Sequence, residues 1–346
     1  MLDARVWLLW AVTTLVLASS TRNPLYAVLL LLIVTVTGVA CASDRDRRAA
    51  LLPLRFALTA LPLAALFNGL TAHLGDTVLL RLPDWLPLLG GPVTLEALIF
   101  GATNGLVLTA IFGGFTVFNQ ATPVRDLVQL APRAFHEAGV VLSIALTFIP
   151  QTTRSLARIR EAQAVRGHRV RGLRDWLPIV MPLLVSGLER SMGLAEAMVA
   201  RGYGAVSDRA QPLRSQALLA LGLFALLGGW LTWLFLPLWK GAALGGMIVG
   251  AGLILAVLWL AGRAAPRTTY RARRWTGRDT LVLLGCGLAL AMVLLPLPWI
   301  DRATLYYAPY PRLTLPPFDP FVGLGLLGML APAMLSGDRA SRAQSL

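Results

Sequence analysis

Charged residues, lysine and cysteine are scarce in this sequence of 346 residues. Only 14% of the residues are charged, against roughly a quarter in soluble globular domains, and this excludes an ordinary cytosolic enzyme and a disordered chain. The one lysine, Lys240, lies in Trp-Lys-Gly, which excludes a phosphate-binding P-loop because that loop needs Gly-Lys-Ser or Gly-Lys-Thr. The two cysteines, Cys41 and Cys286, lie at or inside apolar segments, which excludes a disulfide framework and a cysteine metal site.

Residues for metal binding and catalysis are equally few. The three histidines, His73, His136 and His168, have no metal-ligand spacing among themselves. The sequence has no Ser-His-Asp or Cys-His arrangement and no pair of carboxylates placed to face a pocket. We therefore predict no bound metal, no cofactor and no catalytic site, and we predict that the protein is not itself an enzyme.

Hydrophobic residues make up 56% of the chain and fall into long blocks. A block of about twenty apolar residues is the length that a helix needs to cross the hydrocarbon core of a bilayer. The sequence therefore predicts an all-α polytopic membrane protein with about eight transmembrane helices. The predicted spans are residues 6–19, 25–41, 56–73, 93–118, 215–237, 242–262, 280–298 and 318–335.

The basic residues favour one orientation of these spans. The net charge is +14, and in a soluble protein a charge this high would predict binding to nucleic acid. Here the arginines cluster between hydrophobic spans, as they do in the cytoplasmic loops of membrane proteins. With the N-terminus inside, 26 of the 31 basic residues lie on the inner side. The five on the outer side are Arg22, Arg81, Lys240, Arg302 and Arg312. We therefore predict a cell-membrane protein with both termini in the cytoplasm, in contact with the lipid bilayer and not with nucleic acid.

The charge count requires residues 119–214 to form a cytoplasmic block between spans four and five. This block contains two apolar runs, 138–150 and 176–187, each about a dozen residues and too short to cross a bilayer unaided. Pro178 and Pro182 are predicted to break the second run. The runs are interpreted as helices that lie against the membrane face or against each other; a tilted hairpin dipping into the bilayer is the alternative. The domains are then 1–118, 119–214 and 215–346, the last with a basic loop at 263–278.

A repeat lies inside this block. The pattern Glu-Ala-x-x-x-Arg-Gly begins at Glu161 and recurs 35 residues later at Glu196. Each copy lies near the C-terminal end of a predicted helix, 152–166 or 187–201. Both glutamates are expected to support the helix register by pairing with Arg158 or Arg190 on the helix surface. Exposed pairs of this kind contribute little free energy.

Each copy of the repeat ends on an arginine followed by a glycine. Gly167 and Gly202 are predicted left-handed C-caps, because glycine has no Cβ to oppose that conformation. Arg166 and Arg201 then lie at the negative end of the helix dipole and carry five donors beyond the helix end. Two matching helix ends in one block predict two equivalent binding sites on a partner, such as one on each subunit of a dimer.

Three segments around the repeat carry a family resemblance. NQATPVRDLVQL at 119–130, FIPQTTRSLARIREAQAVRG at 148–167 and AEAMVARGYG at 195–204 together resemble the transmembrane T component of energy-coupling factor (ECF) transporters. The signature of that family is a pair of Ala-Arg-Gly motifs on two coupling helices. Ala200, Arg201 and Gly202 match it, whereas Val165 replaces the first alanine. The resemblance covers about 93–204 well and the first three spans loosely, and it does not extend beyond about residue 278.

The resemblance implies an importer module in a bacterial or archaeal plasma membrane. In that family, the coupling helices dock on two cytosolic ABC-type ATPase subunits. The T component also cradles a small membrane-embedded S component that captures a vitamin or a transition-metal ion. By the resemblance, Arg166 and Arg201 contact the ATPases, Gly167 and Gly202 end the helices, and the residues before each arginine set the close approach. These last residues are Val165 and Ala200.

Other interpretations of the sequence stay open. A secondary transporter with a basic cytoplasmic domain would carry charged residues near the middle of several spans and a repeat between its membrane halves. Glu96 lies early in the fourth span, and we expect it at the outer membrane interface and not near the middle of the span. The repeat itself is also compatible with two capped amphipathic helices that lie on the lipid. A membrane anchor for another cytosolic complex would explain the basic block but not the two matching helix ends.

Overall fold

The computed structural model of the protein describes residues 2–42, 47–83, 90–130, 136–168, 172–203, 213–264, 275–295 and 298–336. The α-helices are α1 (Ala4–Ser20), α2 (Pro24–Cys41), α3 (Arg47–Ala50), α4 (Leu52–Thr71), α5 (Leu95–Ala121), α6 (Val124–Leu130), α7 (His136–Val165), α8 (Leu177–Ala200), α9 (Leu213–Phe235), α10 (Lys240–Ala264), α11 (Gly277–Leu294), α12 (Pro320–Leu327) and α13 (Ala331–Ser336). Short 3-10 helices cover Leu173–Trp176, Pro237–Trp239, Arg302–Leu305 and Gly328–Leu330. Two strands, β1 (Val78–Leu82) and β2 (Gly91–Thr94), pair in an antiparallel hairpin that the sequence analysis did not predict.

Eight helical segments in the described part of the chain are long and apolar enough to cross a membrane, which confirms the predicted class of all-α polytopic membrane protein. These segments are Pro24–Cys41, Arg48–Thr71, Leu95–Ala121, Ala138–Val165, Arg174–Ala200, Arg214–Phe235, Lys240–Leu260 and Gly277–Leu294. Six of them correspond to predicted spans. The first and last predicted spans are the shorter apolar helices Ala4–Ser20 and Pro320–Leu335, and the other two candidates lie in the predicted cytoplasmic block.

The prediction of separate short helices within that block is wrong. Both apolar runs continue without a break into the helices that carry the repeat, and together they form α7 and α8. Pro178 lies in the first turn of α8, where the missing N–H costs nothing. Pro150 and Pro182 lie inside α7 and α8. Each removes one backbone hydrogen bond, and the remaining bonds on either side keep the helix continuous.

The chain divides into two compact units, one formed by Met1–Leu127 with Arg271–Leu346 and the other by Val128–Tyr270. In the first unit, the buried core is built by α1 and α2 together with α5, α11 and α12. Trp10 of α1 is fully buried, and its Nε1 donates a hydrogen bond of 3.0 Å to the carbonyl of Met329. The last two predicted spans are therefore part of the core of this unit.

One end of the first unit gathers three of the four segments that the charge distribution places on the outer side; the fourth, at Lys240, belongs to the second unit. The side chain of Asn23, between α1 and α2, is fully buried and donates to the carbonyls of Thr304 (2.8 Å) and Pro317 (2.6 Å). Asp76, before β1, donates through its backbone N–H to the carbonyl of Pro311 at 3.2 Å. At the opposite end, the N–H of Asp3 donates to Oδ1 of the buried Asp279. Successive connections between these helices therefore lie at opposite ends of the unit, as the predicted membrane spans require.

Glu96 is fully buried in the first turn of α5, beside the β-hairpin. Its carboxylate accepts hydrogen bonds from the N–H of Thr77 at 3.1 Å and from the Thr77 hydroxyl at 2.6 Å. Gly75, with φ of +128°, passes so close that an added Cβ would overlap the Glu96 carboxylate. The glutamate therefore fastens the hairpin to the start of the helix.

In the second unit, α9 and α10 form a closely packed hairpin. A Cβ added to Gly250 would lie 2.6 Å from the carbonyl oxygen of Gly222, and one added to Gly229 would lie 2.8 Å from the carbonyl oxygen of Ala243. Glycine is needed at these positions because any side chain would push the two helices apart. Most of the predicted basic loop 263–278, which follows α10, lies outside the described residues.

Candidate functional site

The end of α7 has the geometry that the first copy of the repeat predicts. Gly167 follows the last turn with φ of +78°. Its N–H donates to the carbonyl of Ala164 at 2.9 Å, and the N–H of His168 donates to the carbonyl of Gln163 at 3.0 Å. This pair of bonds defines a Schellman motif, in which a left-handed residue lets the chain turn back and satisfy the last carbonyls.

The end of α8 repeats this geometry. Gly202 has φ of +80°, its N–H donates to the carbonyl of Val199 at 2.9 Å, and the N–H of Tyr203 donates to the carbonyl of Met198 at 3.0 Å. Each of these bonds lies 35 residues after its counterpart at the end of α7. The sequence repeat is therefore also a repeat of structure, and the prediction that both glycines are left-handed C-caps is confirmed.

Both helix ends are open in the described part of the chain. Val165 is 90% exposed, and Arg166, Ala200 and Arg201 are exposed as well. Neither arginine side chain forms a hydrogen bond or an ion pair with any residue that the structure describes. A Cβ added to Gly167 would meet no atom within 4 Å, and the same holds for its counterpart after α8. Glycine is thus required for the backbone conformation and not for packing against the residues that the structure describes.

Helices α7 and α8 lie beside each other in antiparallel directions. Gln163, near the end of α7, donates through Nε2 to the carbonyl of Pro178 at the start of α8 (3.3 Å). Ser155, eight residues earlier in α7, contacts Arg190, twelve residues later in α8. Pro182 explains the first contact, because it has no N–H to bond the carbonyl of Pro178 and so leaves that oxygen for Gln163.

The second contact relates the two helix ends to each other. Ser155 and Arg190 are 35 residues apart and therefore occupy equivalent positions in the repeat. Each lies 11 residues before the arginine that ends its helix, which is about 16 Å along the axis at 1.5 Å per residue. Because the helices are antiparallel, Arg166 and Arg201 lie on opposite sides of this contact, up to about 33 Å apart.

The predicted support by Glu161 and Glu196 is not found. Among the described residues, neither glutamate forms an ion pair with Arg158 or Arg190; both arginines instead donate to Ser155. Ser155 was not predicted, because its only signal in the sequence is its position 35 residues before Arg190.

The described histidines make local contacts with the backbone. Nδ1 of His73 lies 3.3 Å from the carbonyl of Pro92, beside the hairpin. Nε2 of His168 lies 2.7 Å from the carbonyl of Asp175, in the connection between α7 and α8. The side chain of His136 lies outside the described residues. The two described rings therefore help to fix connecting segments.

Comparison with known proteins identifies the family. The cobalt transport protein family CbiQ matches residues 1–213, which is more than half of the chain and includes both Arg-Gly ends. The chain belongs to the CbiQ family. This membership confirms the family resemblance that the segments around the repeat carry. Most of α9 and all of α10 to α13 lie beyond the matched residues of this CbiQ-family chain.

Several curated relatives are named energy-coupling factor transporter transmembrane protein EcfT. The protein of Streptococcus thermophilus is 36% identical over 104 residues, which cover 25% of this chain and 39% of that protein. The protein of Thermanaerovibrio acidaminovorans is 33% identical over 140 residues, covering 35% and 52%. The protein of Staphylococcus aureus is 30% identical over 131 residues, covering 33% and 49%. The chain thus spans about half, or less, of the length of the relatives it matches.

Proposed function

We propose that this chain is the transmembrane coupling (T) component of an ECF-type importer and that α7 and α8 are its coupling helices. The observation that carries the proposal is the equivalence of the two Arg-Gly ends, which have the same Schellman geometry and lie equally far from the contact between Ser155 and Arg190. A partner with two equivalent subunits presents two equivalent surfaces. Two matching helix ends on opposite sides of one contact fit such a partner.

The arginines at these ends are available to a partner. In each Schellman motif, backbone N–H groups satisfy the last carbonyls of the helix, so the arginine side chain is not needed as a cap. Arg166 and Arg201 can therefore direct their fixed donors to carboxylates or carbonyls of an ATPase. The exposed Val165 and Ala200 supply apolar surface beside each arginine, and they set how closely the helix end approaches.

The antiparallel packing favours a position of this pair on the cytoplasmic membrane face. The charged C-terminal half of α7, residues 151–165, lies beside the apolar N-terminal half of α8, as the contact between Gln163 and Pro178 requires. If both helices crossed the bilayer, the charges of one would lie at the depth of the apolar half of the other, which is costly. Helices that lie along the surface avoid this cost. The N- and C-termini are then cytoplasmic, as the distribution of basic residues predicts.

We assign ATP hydrolysis to partner chains. The sequence contains no P-loop lysine, so we propose two cytosolic ABC-type ATPase subunits and a small membrane-embedded S component as partners. The S component would select the substrate, a vitamin or a transition-metal ion. The relatives' printed name, energy-coupling factor transporter, and the family's description as cobalt transport proteins support this assignment.

The buried carboxylates favour a coupling role over secondary transport. Among the described residues, the buried acids are Glu96, Asp279 and Asp319. Each lies at the N-terminal end of a helix, as an N-cap or in the first turn, where a negative charge is stabilised by the helix dipole. A secondary transporter would use acids near the middle of its spans to carry coupling ions.

Affinity purification from native membranes tests the proposal. The tagged chain, extracted in mild detergent, should carry ABC-type ATPases and a small hydrophobic protein with it. The Arg166→Glu/Arg201→Glu variant should insert normally and lose the ATPases, because glutamate repels the partner carboxylates that arginine binds. Arg154→Glu/Arg174→Glu is the matched control, since both residues are exposed arginines of the same unit. Retention of the ATPases by the first variant would refute the proposal.

A further inference from the structure

Two arginines from different helices converge on one buried hydroxyl where α7 and α8 meet. Ser155 is only 7% exposed. Its Oγ accepts a hydrogen bond from Nη2 of Arg158 on the same helix at 3.3 Å and another from Nη2 of Arg190 on α8 at 3.4 Å. The two guanidinium groups therefore face the same oxygen atom, and their positive charges lie close together although like charges repel.

This cluster has donors but lacks an acceptor that balances them. Among the residues that the structure describes, neither Arg158 nor Arg190 forms an ion pair with a carboxylate. Ser155 accepts two hydrogen bonds there and donates none, although a hydroxyl carries one donor. Two guanidinium groups thus converge on one hydroxyl group, and in the described part of the chain neither has a carboxylate partner and the hydroxyl proton has no acceptor.

We propose that Arg158, Arg190 and Ser155 bind a tetrahedral oxyanion of the phosphate class. Guanidinium groups bind phosphate through paired, charge-assisted hydrogen bonds, and a phosphate has enough oxygens to accept from both arginines and the hydroxyl together. Binding would neutralise the two converging charges and would join α7 to α8 at the point midway between the two Arg-Gly ends. Occupation of this site therefore stiffens the antiparallel pair.

Two sources supply this chemistry. One is the phosphate of an anionic lipid headgroup, which a helix pair on the membrane face would meet, and the other is a soluble phosphate. Binding of ³²P-labelled inorganic phosphate to the purified full-length chain, by equilibrium dialysis, tests the soluble source. Retention of phosphatidylglycerol relative to phosphatidylcholine by the chain in mixed nanodiscs, by native mass spectrometry, tests the lipid source.

Matched variants separate this site from general positive charge. Arg158→Gln/Arg190→Gln is expected to weaken binding at least about tenfold, because each arginine contributes a charge-assisted hydrogen bond. Arg154→Gln/Arg174→Gln removes the same charge from exposed positions and is expected to change binding less than about twofold. Ser155→Ala removes one donor, leaves the charges in place and is expected to weaken binding about threefold. It provides the test if the first variant does not fold.

Either of two results supports the proposal: a selective loss of phosphate binding identifies a soluble ligand, and a selective loss of phosphatidylglycerol retention identifies a lipid. Equal binding by the two double variants in both assays would overturn it, and so would the absence of both kinds of binding from the unmodified chain. The assays contain no ATPase. A negative result therefore leaves the proposed coupling function untouched.

Discussion

Ser155 and Arg190 are separated by 35 residues in the sequence, and Oγ of the first lies 3.4 Å from Nη2 of the second in the structure. The same interval separates Arg166 from Arg201 and the two C-cap glycines from each other. A contact between equivalent positions of two antiparallel helices places the local symmetry axis of the repeat at that contact. The two helix ends are therefore related to each other by packing as well as by sequence.

Replacing Gly167 or Gly202 by alanine is expected to loosen the helix end that the glycine closes. The φ angles of +78° and +80° cost a residue with a Cβ about 1 kcal/mol. The Schellman bonds should then open more often. Amide hydrogen exchange should accelerate at His168 in Gly167→Ala and at Tyr203 in Gly202→Ala.

The control for these substitutions is Gly193→Ala in α8. Gly193 lies inside a regular helix, and an added Cβ meets nothing within 4 Å. Alanine should stabilise that helix by roughly 0.5–1 kcal/mol, because it has less conformational entropy to lose. Faster exchange at Tyr203 in this control, equal to that in Gly202→Ala, would contradict the role given to the cap.

Pro182 and Gln163 should be energetically coupled although they lie on different helices. Pro182→Ala restores an N–H that bonds the carbonyl of Pro178, which then has less need of the Gln163 side chain. Gln163→Ala should therefore cost less in the Pro182→Ala background, with a coupling of about 0.5–1 kcal/mol. Thermal unfolding of the four chains of this double-mutant cycle, in detergent, measures the coupling. A coupling of zero would contradict the assigned contact.

Features of this site that depend on adjacent residues could be predicted from the sequence, whereas features that depend on contacts between helices could not. The C-caps at Gly167 and Gly202 were predicted because a cap is set by a few adjacent residues. The continuity of α8 through Pro182 was not predicted, because the carbonyl that this proline frees is bonded by Gln163 from another helix. The contact of Ser155 with Arg190 was not predicted either, because it also joins two different helices.

The same distinction between local features and distant contacts applies to the fold. The membrane class follows from the length and composition of the apolar blocks, which are local properties. The role of the last two spans in the core was not predicted, because it depends on pairs that are distant in the sequence, such as Trp10 with Met329 and Asp3 with Asp279. The β-hairpin was missed because Glu96 and Gly75 fix it through a tertiary contact.

The predicted orientation is tested by labelling single cysteines. In a variant with Cys41 and Cys286 replaced by alanine, a cysteine is introduced at one of two positions. One is Asp76, at the end of the first unit where the predicted outer segments meet, and the other is Arg174, between α7 and α8. Both positions are exposed. A membrane-impermeant maleimide added to intact cells should label Asp76→Cys alone and should label Arg174→Cys after lysis. The reverse result would overturn the orientation.

If the two Arg-Gly ends are equivalent docking points, native mass spectrometry of the affinity-purified complex should show it. We expect one chain to carry two ATPase subunits. The single substitutions Arg166→Glu and Arg201→Glu should each reduce ATPase occupancy to a similar extent, because the two ends share one geometry. A complex that keeps both ATPase subunits in each single variant and in the double variant, or one that depends on a single end alone, would contradict the claim.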